Sequence, residues 1–117
     1  NLDEKSGLEY VKALFMAKKF SKAYEKSRNL KSYDGLYMGG LSLINLRKWN
    51  DARTSLNSYI SAASGKKDFN ILSFFYKGYA EYNLSEFKNS YASFVRFTSE
   101  APASYTKYIR QGYDFAV

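Results

Sequence analysis

Cysteine and histidine are both absent from this chain. The absence of cysteine excludes a disulfide framework and a thiol nucleophile. The absence of histidine excludes imidazole acid–base chemistry, and the two absences together exclude the commonest zinc sites. We therefore predict a protein that holds no metal ion and no cofactor.

Proline is scarce, and long apolar runs are missing. Pro102 is the single proline, so long stretches of the chain are free to form helices. No apolar run approaches the roughly 18–20 residues that cross a bilayer, and no signal-peptide pattern is recognisable. Because the chain begins at Asn1 rather than at methionine, we interpret residues 1–117 as a single domain cut from a longer protein.

Aromatic and basic residues are plentiful. The chain is 45% hydrophobic and 19% aromatic, which argues against disorder because the apolar area can offset the entropy of ordering. The formal net charge is +7. The densest basic stretch consists of Lys18, Lys19, Lys22, Lys26, Arg28 and Lys31. We interpret it as a solvated helix face, with a docking surface for an acidic partner or anionic lipid as the alternative.

A short pattern recurs three times: two polar residues, a large aromatic, two polar residues and a small residue. The aromatics are Phe20, Trp49 and Phe87, and the small residues are Ala23, Ala52 and Ser90. A second recurring pattern is centred on Gly40, Gly78 and Gly112. Glycine inside a helix costs about 1 kcal/mol relative to alanine. Its recurrence therefore predicts a close neighbouring helix, against which the small residues pack.

These patterns predict an all-α chain of about seven helices. Ser6 and Glu9 form a capping box that places the start of the first helix near Gly7, and Pro102 suits the first turn of the last helix. The predicted helices span residues 7–17, 20–30, 33–46, 49–63, 70–83, 86–99 and 103–116. A plain helical bundle is the alternative to an array of stacked pairs.

The order of these residues resembles the tetratricopeptide repeat (TPR), a helix–turn–helix unit of about 34 residues. The third unit matches through Phe74, Gly78, Ala80, Tyr82, Phe87, Phe94 and Pro102. The second unit matches through Leu36, Gly40, Ile44, Trp49, Ala52 and Leu56. The first unit matches through Phe15, Phe20 and Ala23 and departs from the pattern at Val11. The resemblance implies about three units and a further helix, stacked as a superhelical array of antiparallel helix pairs.

In the TPR family the first helices line a concave groove that binds other proteins. Helical spacing assigns ten residues of this chain to the corresponding stripe: Phe15, Tyr37, Leu41, Ile44, Leu72, Phe75, Tyr79, Tyr82, Ile109 and Tyr113. Burial of the same stripe by curvature and neighbouring helices is the alternative interpretation. We predict a non-catalytic scaffold that binds a peptide or helix of another protein in this groove.

Some family members hold the acidic terminus of a chaperone through a clamp of basic and amide side chains. The matching positions here are Leu8, Lys12, Met38, Leu72 and Tyr76. Because these positions supply one charge, we expect no carboxylate clamp.

Two other functional classes fit the sequence less well. Base stacking on tyrosine and phenylalanine beside lysine would suit single-stranded nucleic acid, and a nucleic-acid-binding module is the alternative to the protein scaffold. The basic residues lie mostly away from the aromatic stripe, which argues against it. The carboxylates are scattered and no Gly-rich phosphate loop follows a strand, so the sequence predicts no enzyme.

The frequent use of Lys, Asn, Tyr, Phe and Ser resembles proteins from AT-biased bacterial genomes. This usage favours a location of the protein in the bacterial cell envelope or periplasm over the cytoplasm. The sequence leaves the partner and the oligomeric state open.

Overall fold

The structure, a computed structural model, describes residues 3–110. Within that range it contains six α-helices and no strand. The helices are α1 Glu4–Met16, α2 Phe20–Ser27, α3 Tyr33–Asn45, α4 Trp49–Ala63, α5 Leu72–Asn83 and α6 Phe87–Glu100. A 3-10 turn, Ala103–Tyr105, follows, and residues 106–110 are helical. The all-α prediction is confirmed, and the helices pack in adjacent pairs as in a helical-repeat solenoid.

The first helix begins earlier than predicted. It starts at Glu4 rather than near Gly7, because Asp3 caps it by accepting a hydrogen bond from the Ser6 N–H at 2.7 Å. The predicted capping box of Ser6 and Glu9 is therefore wrong.

The second helix ends earlier than predicted, at Ser27 rather than at residue 30. The chain turns after Ser27, and the Leu30 side chain lies in the space beside Gly7 and Gly35. The last predicted helix, 103–116, opens with the 3-10 turn, and Pro102 lies just before that turn. Its residues 111–116, with Gly112, lie outside the described residues.

Small residues hold each helix pair together, as the repeated pattern predicts. Ala23 and Ala52 are fully buried against the preceding helix. Ser90 is also buried, and its hydroxyl donates to the Gly78 carbonyl of the partner helix at 2.8 Å. A Cβ atom added to Gly40 would lie 2.7 Å from a Leu56 methyl group, so a larger residue would overpack this contact. The pairs are therefore set by close backbone contact.

The turns that join the two helices of each pair share one geometry. Each contains a non-glycine residue in the left-handed region, Lys18, Arg47 or Ser85, with φ of 63°, 60° and 61°. In the first turn the Lys19 N–H donates to the Leu14 carbonyl at 2.8 Å, and the corresponding bond measures 2.9 Å in the other two turns. This is the Schellman arrangement that closes a helix C-terminus. The three pairs therefore share one turn geometry.

Candidate protein-binding surface

The first helices of the units form one continuous wall. The backbones of α1 and α3, and those of α3 and α5, approach each other closely, whereas the backbones of the second helices α2, α4 and α6 lie further apart. The array is therefore closed on the side of the first helices and splayed on the side of the second helices. We call the surface of α1, α3 and α5 the inner wall.

Two of the ten predicted groove residues lie in the core. Ile44 is 8% exposed and packs with Leu43 and Ala52. Phe75 is 6% exposed and meets the Phe97 ring with a centroid distance of 5.4 Å. Neighbouring helices cover both side chains, so little of either is available to a partner.

The other described members of the predicted groove are more accessible. Tyr82 is 43% exposed. The half-buried members are Phe15, Tyr37, Leu41, Leu72, Tyr79 and Ile109. Tyr113 lies outside the described residues. The accessible part of the inner wall therefore contains fewer residues than the predicted stripe.

Ring contacts position two of these tyrosines. Tyr79 meets Trp49 of the preceding unit edge to face, with a centroid distance of 5.4 Å. Tyr82 meets Phe87 of its own unit in the same manner at 5.6 Å. Such pairs stabilise by about 0.5–1.5 kcal/mol beyond the area that they bury. Both rings are therefore held in place before any partner binds.

A cleft of about 250 Å³ opens where α1, α3 and the α4–α5 connection meet. Its polar groups come from both sides of the cleft, since Lys12 and Asp34 belong to α1 and α3, and Asp68 belongs to the connection. The Tyr33 hydroxyl donates to Asp68 Oδ1 at 2.6 Å. The Asn70 N–H donates to the Tyr59 hydroxyl at 2.8 Å. These two bonds fasten the connection to the helices beside the cleft.

Three tyrosines in or near the cleft have raised pKa values. Donation to Asp68 raises the pKa of Tyr33 to about 12, with burial as a second cause. Burial raises the pKa of Tyr37, and neighbouring tyrosines, first Tyr76, add to the effect. Burial, followed by the nearby Tyr108 hydroxyl, raises the pKa of Tyr76 to about 12. All three hydroxyls are neutral at pH 7 and offer hydrogen bonds rather than charge.

Sequence reasoning missed four residues beside this cleft: Tyr33, Tyr59, Asp68 and Asn70. The spacing of Tyr59 three positions after Leu56 could have assigned it to the core face of α4. No local signal in the sequence shows that the α4–α5 connection, which carries Asp68, folds back onto α3.

The positions that match the chaperone-binding clamp carry one charge, Lys12, which is exposed. Met38 is buried, while Leu8, Leu72 and Tyr76 are half-buried apolar or aromatic side chains. These positions thus offer one cation and otherwise apolar or aromatic side chains.

The described residues 3–110 contain no group of three or more acidic side chains that could hold a metal ion. No helix in this range is long and apolar enough to span a membrane. No protein-family model matches the sequence, and a search of curated proteins returns no match.

Proposed function

We propose that this protein is a non-catalytic scaffold of the TPR type that binds a segment of another protein along its inner wall. The observation that carries the proposal is the row of accessible apolar and aromatic side chains on α3 and α5. Tyr37 and Leu41 lie on α3, Tyr79 and Tyr82 lie on α5, and Tyr79 is the position equivalent to Leu41.

The chemistry of this row favours an extended apolar segment or one face of a helix as the ligand. Tyrosine combines an apolar ring with a polar tip and loses little rotamer freedom on binding, which explains its frequency in binding hot spots. The contacts with Trp49 and Phe87 keep the rings of Tyr79 and Tyr82 oriented. A wall that is ordered in advance lowers the entropic cost of binding.

A pair of matched tyrosine variants tests the proposal. Tyr79 lies on the inner wall, and Tyr91 is an exposed tyrosine on the outer helix α6. The partner is first captured from the native organism and its bound segment is identified. We expect Tyr79→Ala to weaken binding of that segment by about thirtyfold, or about 2 kcal/mol, and Tyr91→Ala to leave it unchanged.

Circular dichroism checks that both variants are folded. Tyr79→Ala also removes the ring contact with Trp49, which could disturb the fold. Leu41→Ser is therefore a second inner-wall variant, since it removes no ring contact. If Leu41→Ser and Tyr79→Ala both bind as the parent does while Tyr91→Ala does not, the partner docks on the surface of the second helices and the proposal fails.

A further inference from the structure

The two ends of the helix array differ in their chemistry. Consecutive helices alternate in direction, so the three turns within pairs all lie at one end. We call this the turn end; it comprises residues 16–22, 45–51 and 83–88. The connections between pairs, residues 28–32 and 64–71, lie at the opposite end together with the N-terminus of α1.

Basic side chains dominate the turn end. The exposed cations there are Lys18, Lys19, Lys22, Arg47, Lys48 and Lys88. The carboxylates are Asp51 and Glu86, and Glu86 is paired with Arg53. The opposite end, by contrast, carries several carboxylates, among them those of Asp3, Glu4 and Asp68. The turn end therefore carries six cations against two carboxylates.

The repeated turn geometry aligns these cations. Lys18 and Arg47 occupy the same left-handed position in successive turns, and Lys19 and Lys48 follow them as the N-cap residues of α2 and α4. None of these four side chains forms an ion pair with any residue of the range 3–110. Neighbouring units thus present two exposed cations each in the same register.

Large apolar side chains protrude among these cations. Met16 is 78% exposed at the end of α1, and Phe87 is 58% exposed at the start of α6. Both belong to the same end of the array as the lysines. Cations flanking exposed apolar groups are typical of surfaces that bind the headgroup region of an anionic bilayer.

We propose that the turn end binds anionic phospholipid headgroups, with Met16 and Phe87 entering the interfacial layer. A single-stranded nucleic acid is the less suitable polyanion, because Met16, the more exposed of the two apolar side chains, has no ring on which a base could stack. This surface lies at the helix ends and meets the inner wall only where Phe87 contacts Tyr82, and its cations are not part of the inner wall, so the inference does not depend on the proposed function.

Sedimentation with lipid vesicles tests the inference. The vesicles contain phosphatidylglycerol and phosphatidylcholine in equal amounts, and vesicles of phosphatidylcholine alone are the neutral reference. Each basic residue near an anionic membrane contributes about 1 kcal/mol, so Lys18→Gln/Lys19→Gln should weaken binding by about thirtyfold. The matched control is Lys66→Gln/Lys67→Gln, which changes an exposed lysine pair at the opposite end. This variant should lose less than about threefold in affinity for the anionic vesicles.

A third variant examines the apolar contribution. Met16→Ser should weaken vesicle binding by about threefold, because an inserted apolar side chain is partly withdrawn from water. The inference is overturned if the anionic vesicles bind no better than the neutral ones, or if the two lysine pairs lose affinity equally. It is also overturned if Met16→Ser binds as the parent does, or if a single-stranded oligonucleotide binds more tightly than the vesicles.

Discussion

The second and third units use the same turn and the same close helix contact, yet they fill the space between their helices differently. Leu43 lies three residues after Gly40 and is 2% exposed in an apolar cluster. Glu81 lies three residues after Gly78 and is also 2% exposed. Equivalent core positions thus hold a leucine in one unit and a carboxylate in the other.

A complete set of polar partners makes the carboxylate acceptable in the third unit. Glu81 accepts a hydrogen bond from Lys77 Nζ at 2.8 Å and another from the Ser93 hydroxyl at 2.7 Å. Lys77 also donates to Ser93 at 2.9 Å. Burial of a charge is tolerated only with such pairing. Backbone contact at the glycines therefore defines the pair, while the remaining space accepts either apolar packing or a satisfied ionic network.

The strongest test of this comparison places the third unit's carboxylate in the second unit. Leu43→Glu would bury a charge where the lysine position of the network is occupied by Gly39. We expect a loss of about 4 kcal/mol in the free energy of unfolding, measured by urea titration. Leu43→Met is the control and should lose less than about 1.5 kcal/mol. A loss of similar size in both variants would show that the pairing is unimportant.

The reverse change converts the third unit towards the second. Glu81→Ala should cost about 2 kcal/mol, because it removes the partner of Lys77, an ammonium that keeps part of its hydration. Glu81→Leu/Lys77→Met should restore the stability to within about 1 kcal/mol of the parent, since an apolar replacement of a buried pair is often neutral. Thermal and urea unfolding of the two variants measure the difference. If both variants lost the same free energy of unfolding, the network would be needed for reasons other than the pairing of Lys77 with Glu81.

The smallest predicted effect compares the two glycine contacts. A methyl group at Gly40 would meet Leu56 at 2.7 Å, whereas one at Gly78 would meet the Phe94 ring at 3.1 Å. Overpacking opposes the gain in helix propensity from alanine. We expect Gly40→Ala to be about 1 kcal/mol less stable than Gly78→Ala in urea titration. The reverse order would mean that the α5–α6 contact is the tighter one.

The first residues of α4 and α6 also differ in exposure. Trp49 is half-buried because Tyr79 of the next unit covers it. Phe87 occupies the equivalent position in the third unit and is 58% exposed. The described residues that follow α6 pack against Phe75 and Phe97 instead. Identical positions in a repeat therefore have different environments, depending on which helix follows them.

The sequence alone determined the all-α class, the pairing of helices and most helix bounds. α4 spans 49–63 as predicted, because Trp49 and Ala52 mark both its start and its packing face. Two of the recurrent glycines, Gly40 and Gly78, lie at close helix contacts, as predicted. These features were predictable because helix formation and pair packing depend on residues that are near one another in the chain and repeat in register.

Only the tertiary structure decided which members of the predicted groove remain accessible. Helical spacing assigns Ile44 and Phe75 to the same stripe as Leu41 and Tyr79, yet neighbouring helices bury the first two. The same applies to the docking of the Asp68 connection onto Tyr33. The sequence identified the cluster of Lys18, Lys19 and Lys22, but only the tertiary structure brings Arg47, Lys48 and Lys88 to the same end, because successive turns are far apart in the chain. Burial and charge clustering depend on contacts between distant segments, which local spacing does not encode.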